Sequence, residues 1–283
     1  MRRPVTASTT IAGVVGHPAR HSLSPVIHNA WIEAAGLDAV YLAFAPSADG
    51  FTALVEGLRS GAALGLNVTL PFKQQALDMA GWAEDSARQA GAANLLLFGQ
   101  DGAIEARNTD GIGLMAALAG AGHAPSAGPA VVLGAGGAAR GAVLALLDAG
   151  VPAIAVVNRT VERAKAIADL DPRVTAHGWD ALAAVLDGAA AVINATSLGM
   201  SGQPPLDARL DAAPAACVVM DMVYRPLETD LLRRARQRGH PTADGLAMLI
   251  GQALPSFEAL FGQPAPADID VRAICEAALA GRP

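Results

Sequence analysis

Lysine is scarce in this chain. Of twenty basic residues, eighteen are arginines, and one of the two lysines, Lys73, ends the segment Asn67-Val-Thr-Leu-Pro-Phe-Lys73 where a helix is expected to begin. Where arginine is used almost everywhere, a lysine points to something a guanidinium cannot do, chiefly release of a proton. An ammonium in the first turn after Pro71 also faces the positive end of the helix dipole, which works against its charge. A solvated surface lysine is the other reading, and these facts alone leave both open.

Cysteine is scarce as well. Cys217 and Cys275 lie far apart in segments that read as buried strand and buried helix. That excludes a disulfide framework or a thiolate metal site and leaves two small core residues. His21 and His28 have no metal-like partners at useful spacing, so no metal is expected. Long apolar runs are missing too. The 52% hydrophobic content is carried by alanine, with aromatic residues at only 4%, and no run approaches the ~20 residues a spanning helix needs. Met1-Arg-Arg, followed by a short run from Ile11 to Gly16 stopped at His17-Pro18, lacks the core and cleavage site of a signal peptide. A soluble, cytoplasmic chain is expected. Its formal charge of −6 comes without a basic stripe, which argues against nucleic acid as the main partner. The cluster Arg233, Arg234, Arg236 and Arg238 falls near the end of an expected helix, where the dipole favours cations.

What is present is an alternation of strands and helices. The runs Ile11 to Val15, Val40 to Phe44, Ala63 to Val68 and Asn94 to Phe98 read as strands separated by helical stretches at 25–35 and 47–60, an α/β unit. The turn-rich segment 120–129 marks a boundary. Beyond it the pattern is strand 130–133, helix 137–149, strand 153–157, helix 161–169, strand 190–194 and strand 217–222, the rhythm of a doubly wound parallel sheet. Residues 245–261 have helical spacing with no strand after them, so the C-terminal helices are expected to pack back on the first domain.

The run Gly134-Ala135-Gly136-Gly137-Ala138-Ala139-Arg140 follows Val131-Val-Leu133 and opens a helix, matching Gly-x-Gly-x-x-Gly/Ala between strand and helix. Gly134 permits the tight turn, Gly136 lets backbone approach a pyrophosphate, and Ala139 lets helix and strand pack closely. A glycine-rich turn without a ligand is the alternative. The next strand bears on the choice: it ends in Asn158-Arg159-Thr160, with Arg163 one turn later, where an NAD-selective site would carry Asp or Glu. A missing carboxylate and two added guanidiniums suit the 2′-phosphate of NADP.

Asp110, in Asn108-Thr109-Asp110-Gly111, has two readings. It is placed as a helix N-cap before the apolar run Ile112 to Ala119, or as the partner of Lys73 in an acid/base pair for carbonyl reduction. In His21-Ser22-Leu-Ser24-Pro25, Ser24 is likewise read as a helix cap with proline at the first helical position, or Ser22 and Ser24 together as two hydroxyls for a carboxylate.

Taken together, Ser22-Leu-Ser24-Pro25 with His28-Asn29, Asn67-Val-Thr69 through Lys73, Gly91-Ala-Ala-Asn94, Asn108-Thr-Asp110-Gly111, the glycine turn, Asn158-Arg-Thr160, Asn194 to Met200, Asp221-Met-Val-Tyr224 and Gly245 to Gln252 occur in the order seen in shikimate dehydrogenases. Over residues 11–262 the chain resembles that family. The resemblance implies NADP-dependent, reversible reduction of 3-dehydroshikimate to shikimate in chorismate and aromatic amino acid biosynthesis. It implies a substrate-binding domain at 1–111, with 246–283 packing back on it, and a Rossmann domain at 112–245, the two enclosing a cleft. Ser22 and Ser24 would bind the substrate carboxylate. Asn67, Thr69, Lys73, Asn94, Asp110 and Gln252 would surround the ring hydroxyls and reacting carbonyl, with Tyr224 nearby. Gly134 to Ala138, Asn158 to Arg163, Met222 and Gly245 would hold NADP. The molecule is expected to act as a monomer or homodimer. Three departures flank the pocket: Gly91-Ala-Ala-Asn94-Leu95 in place of the family's usual Val and Thr around Asn94, Glu105-Ala-Arg107 where Gly is frequent, and Ala247 where Gly is common. They bear on substrate selectivity and keep open a quinate or aminoshikimate dehydrogenase. A non-catalytic NADP- or shikimate-binding sensor is a further alternative, against which Lys73 and Asp110 both stand.

Overall fold

In the computed structural model, which describes residues 4–281, the chain forms two compact units, one of residues up to Thr109 plus those from Gln252 onward, the other Asp110–Gly251. The first contains β1 (Thr10–Val15), α1 (Ser24–Ala34), β2 (Ala39–Phe44), α2 (Phe51–Arg59), β3 (Gly65–Val68), α3 (Lys73–Asp78), β4 (Trp82–Ala83), α4 (Asp85–Ala90), β5 (Leu95–Phe98) and β6 (Ile104–Arg107). Its six-stranded sheet runs β2-β1-β3-β5-β6-β4. Strands β2, β1 and β3 are parallel, joined by helical crossovers, whereas β5 is antiparallel to both its neighbours. The reversal into β6 is a tight turn: Gly102 sits at φ +75° and the Gly99 N–H donates to the Ala103 carbonyl at 2.9 Å. One sheet face carries Val15, Leu66, Val68 and Leu96 against Phe51, Val55, Phe72 and Ala76, with Phe51 stacked on Phe72 at 4.5 Å between centroids.

The second unit contains α5 (Asp110–Gly120), β7 (Ala130–Leu133), α6 (Gly137–Asp148), β8 (Ile154–Val157), α7 (Val161–Ala168), β9 (Val174–His177), α8 (Leu182–Leu186), β10 (Ala191–Asn194), β11 (Val218–Asp221), α9 (Asp230–Gln237), β12 (Thr242–Ala243) and the start of α10 (Gly245–Phe261). The sheet order is β12-β11-β10-β7-β8-β9, and every pairing is parallel. The chain winds outward from β7 to β9, returns beside β7 as β10, and winds the other way. Both faces are covered, so the central strands are apolar at nearly every position and do not alternate. Ala130 and Val132 pack with Leu114, Leu118 and Val143 on one face, and Val131 and Leu133 with Leu186 and Leu232 on the other.

The later part of α10 and α11 (Val271–Ala280) belong to the first unit. Phe257 meets the Trp31 ring of α1 edge-on at 5.6 Å, which anchors the returning helix. The units divide at 109/110 and 251/252, against the 111/112 and 245/246 that the resemblance implies. All of α5 goes with the second unit because Leu114, Ala117 and Leu118 bury there, and Ala247 and Met248 carry the first turns of α10 with it. The turn-rich 120–129 segment is an internal loop of that unit. Strands β4, β6, β9 and β12 went unread, being two to four residues long and lacking a marked apolar pattern. The arginines around α9 form ion pairs, Arg234 with Asp230 at 2.7 Å and Arg238 with Asp211 at 2.8 Å among them.

Candidate active site

In the second unit, Leu133 of β7 is in register with Asn194 of β10. The C-terminal ends of these strands form the topological switch point, where open parallel sheets bind ligands. Gly134 follows with φ +108°, and a Cβ there would stand 2.9 Å from Thr196 Cγ2 and 3.2 Å from the Ala195 carbonyl oxygen. Both the left-handed backbone and the crowding require glycine. Gly136 caps α6 without a side-chain bond to the first turn. A Cβ on Gly136 or Gly137 would meet nothing within 4 Å. The first N–H groups of a twelve-residue helix therefore open onto free space, a fit for the diphosphate of a dinucleotide. Ala139, fully buried, holds the helix close to the sheet.

Beside this turn, β8 runs into Asn158, whose Nδ2 donates to the Thr160 carbonyl at 2.8 Å. Arg159 and Arg163 are exposed, and neither pairs with a carboxylate among the described residues. Two such guanidiniums around the start of α7 fit a phosphate on the adenosine ribose.

A buried knot joins the ends of the neighbouring strands. Asp221 is fully buried and accepts from Asn194 Nδ2 at 2.9 Å, the Val223 N–H at 3.0 Å and Thr229 Oγ1 at 2.7 Å. Burial raises its pKa while the three donors pull it down. This carboxylate ties the ends of β10 and β11 to α9, and so shapes the segment of Met222 and Tyr224. Gly245 opens α10 against Met222, where a Cβ would lie 2.3 Å from the Met222 carbonyl oxygen.

The first unit gathers the polar residues expected around a substrate. Asn67, on β3, accepts from Tyr41 Oη at 2.7 Å and donates to the Asn94 carbonyl at 3.1 Å and to Ser256 Oγ at 3.0 Å. Asn94 accepts from the Thr109 N–H at 2.8 Å and donates to Thr109 Oγ1 at 3.0 Å and Gln252 Oε1 at 3.1 Å. Thr69 follows β3, and a Cβ on Gly16 would stand 2.3 Å from its methyl. Lys73 is the first residue of α3, as expected, and its carbonyl accepts from the Ala93 N–H at 2.8 Å, which fastens it to the segment that carries Asn94 into β5. His28, read as a packing residue, stacks on Tyr41 at 4.1 Å, and burial pushes its pKa down to about 3.

The cap reading of Ser24 is corrected. The N-cap of α1 is Leu23, with no side-chain bond, and Ser24 is the first helical residue, its N–H donating to Ser22 Oγ at 3.2 Å. The two serines are thus joined at a helix start. Asp110 is the first residue of α5 and belongs to the second unit with Tyr224, Met222 and Gly245, while Ser22, Ser24, Asn67, Thr69, Lys73, Asn94 and Gln252 belong to the first. Tyr41, Thr109 and Ser256 were missed as members of the amide cluster, and Asp221 and Thr229 as the knot. Tyr41 reads as an ordinary strand aromatic and Ser256 as a neutral helix residue. The Asx and hydroxyl residues beside them in the motifs were the available signal. Among the described residues no group of three or more His, Cys, Asp or Glu is placed to hold a metal, and no helix is long and apolar enough to cross a membrane.

A doubly wound sheet with an open glycine turn at its switch point and arginines beside it, in a chain whose other unit carries a cluster of amides and a lysine, defines an NADP-dependent oxidoreductase of small polar substrates. The family profile described as Shikimate dehydrogenase substrate binding domain matches residues 14–96, and that described as Shikimate / quinate 5-dehydrogenase matches residues 122–201. The Shikimate dehydrogenase (NADP(+)) of Caulobacter vibrioides is 56% identical over 277 residues, 97% of this chain and 97% of that protein. Shikimate 5-dehydrogenase from Thermus thermophilus, solved in complex with NADP(H) and shikimate, is 34% identical with a TM-score of 0.84, covering 96% of this chain and 99% of that one. Quinate dehydrogenase from Corynebacterium glutamicum, solved in complex with NAD, is 29% identical with a TM-score of 0.86, again covering 96% and 99%. The chain belongs to the shikimate dehydrogenase family.

Proposed function

We propose that this chain catalyses the NADP-dependent, reversible reduction of 3-dehydroshikimate to shikimate, the fourth step of the route to chorismate and the aromatic amino acids. The observation that carries this reading is the near full-length match, 56% identical over 97% of both chains, to a Shikimate dehydrogenase (NADP(+)). The first unit binds substrate: Ser22 and Ser24 take the carboxylate, and Asn67, Thr69, Asn94 and Gln252 the ring hydroxyls, with Tyr224 nearby. The second holds NADP through Gly134 to Ala138, Asn158 to Arg163, Met222 and Gly245. The open first turn of α6 and the exposed Arg159 and Arg163 support that assignment.

Bound NADPH supplies the hydride to the carbonyl carbon. Lys73 donates a proton to the carbonyl oxygen as charge develops on it, and Asp110 orients the ammonium and the substrate hydroxyl. In the oxidative direction the same pair receives the hydroxyl proton. Such positioned proton transfer contributes roughly 10²–10⁴-fold to rate. The reading includes a cytoplasmic enzyme working as a monomer or homodimer.

Absorbance at 340 nm with shikimate and with quinate, each with NADP and NAD, tests the proposal. Strong preference for shikimate with NADP is expected. Preference for quinate would move the enzyme to the reading favoured by its likeness to the Corynebacterium protein, and preference for an amino analogue to an aminoshikimate dehydrogenase. Binding without turnover would make it a sensor.

A further inference from the structure

The amide cluster of the first unit has a direction, and main-chain groups dictate it. The Asn94 carbonyl can only accept, so the Asn67 atom 3.1 Å from it must be Nδ2, and the Asn67 atom facing Tyr41 Oη at 2.7 Å must be Oδ1. Tyr41 therefore donates. Burial raises its phenol pKa and keeps that proton in place. The Gln252 main-chain carbonyl also can only accept, so Ser256 Oγ, 3.1 Å away, donates to it and receives from Asn67 Nδ2 at 3.0 Å, with Thr109 Oγ1 a further neighbour at 3.3 Å. The Thr109 N–H can only donate, so it fixes Asn94 Oδ1 at 2.8 Å and turns Asn94 Nδ2 toward Gln252 Oε1.

Both hydrogens of the Asn67 amide are thus committed within the protein, and one oxygen lone pair is left. The Gln252 oxygen is occupied, and its Nε2 has no partner among the described residues. We propose that Tyr41 and Ser256 are positioning residues that lock the Asn67 carboxamide as a hydrogen-bond acceptor, set against Gln252 as a donor, so that the site reads the polarity of a substrate ring hydroxyl. Tyr41 is 1% exposed and Ser256 0%, so each acts through Asn67. Tyr41 Oη has no other partner among the described residues, which leaves orientation of Asn67 as the only polar contact its hydroxyl makes. The inference rests on the reading of Asn67 as a substrate-binding residue.

The test is a double-mutant cycle on Tyr41→Phe and Asn67→Ala, with Ser256→Ala as an independent variant, reading KM for shikimate, kcat and KM for NADP. Tyr41→Phe keeps the ring and its stack on His28, so the fold is retained. Loss of one buried hydrogen bond should raise KM for shikimate about tenfold with kcat within about twofold and KM for NADP unchanged. In the Asn67→Ala background, Tyr41→Phe should add no further change, and Ser256→Ala should reproduce the same pattern at a smaller size. If Asn67→Ala raises KM for shikimate while Tyr41→Phe and Ser256→Ala leave it alone, or if the effects simply add, the positioning role is overturned and the site reading stands. If Asn67→Ala itself leaves that KM unchanged, the reading of Asn67 as a substrate contact falls, and the inference with it. A loss of thermal stability without any change in KM would make both residues purely structural.

Discussion

The Cα of Gly245 lies so close to the backbone of Met222 that an added Cβ would stand 2.3 Å from the Met222 carbonyl oxygen and 2.7 Å from its carbon. The obstacle is main chain, so no side-chain rotation relieves it. Gly245→Ala should therefore push the start of α10 away from the end of β11, at a cost of about 1–3 kcal/mol. A fall of several degrees in Tm is expected, together with a raised KM for NADP. An unchanged Tm would mean that the Met222 segment yields freely, contrary to its anchoring through Asn194 and Asp221.

Lys73→Ala and Asp110→Asn should each lower kcat by about 10²-fold or more while leaving the Kd for shikimate within a few-fold, because the lost contribution belongs to the proton transfer step. Single-turnover rates and shikimate titration separate the two quantities. Near-normal turnover in Lys73→Ala would remove the acid/base role.

Arg159 faces solvent with no carboxylate partner among the described residues. Arg159→Ala should weaken NADP by about 10–100-fold, the range of one or two charge-assisted hydrogen bonds, and leave NAD little affected. Comparing kcat/KM for the two cofactors in parent and variant decides it. Equal losses would contradict a 2′-phosphate contact.

His28 is buried against Tyr41, Trp31 and Phe257, and its pKa falls to about 3 in the native state because burial penalises the charged ring. The unfolded chain binds that proton near pH 6.5. Between those values the unfolded state holds the proton and the native state does not, so stability falls as pH drops below 6.5, by up to about 1.4 kcal/mol per pH unit. The lowered pKa of His123 acts in the same direction. Denaturant unfolding at pH 7 and pH 5 should show the loss, and His28→Phe should reduce it. An identical difference between the two pH values in the variant would clear His28.

Most strands and long helices were legible because their patterns are local. The Val131-Val-Leu133 run followed by Gly134 and Gly136 announces strand, turn and helix from neighbouring residues alone, and the structure has them at Ala130–Leu133 and Gly137–Asp148. The helix at 245–261 was likewise readable to the residue, Pro255 included. Ser24 misled because serine before proline is a common cap, yet the backbone of Leu23 takes that place. Strand β9, Val174–His177, exists only because β8 offers it an edge to pair with.

The sequence by itself determined the strand–helix rhythm of a doubly wound sheet, the glycine turn, the absence of a carboxylate after β8 and the rare lysine at the start of α3. Each depends on residues adjacent in the chain. Only the tertiary structure decided which way the amides of Asn67, Asn94 and Gln252 point, because Tyr41 lies 26 residues from Asn67, and Ser256 lies 189. The direction of a hydrogen bond is set by the group that lies opposite. Here those groups are main-chain carbonyls and an N–H from distant segments, and folding alone brings them together.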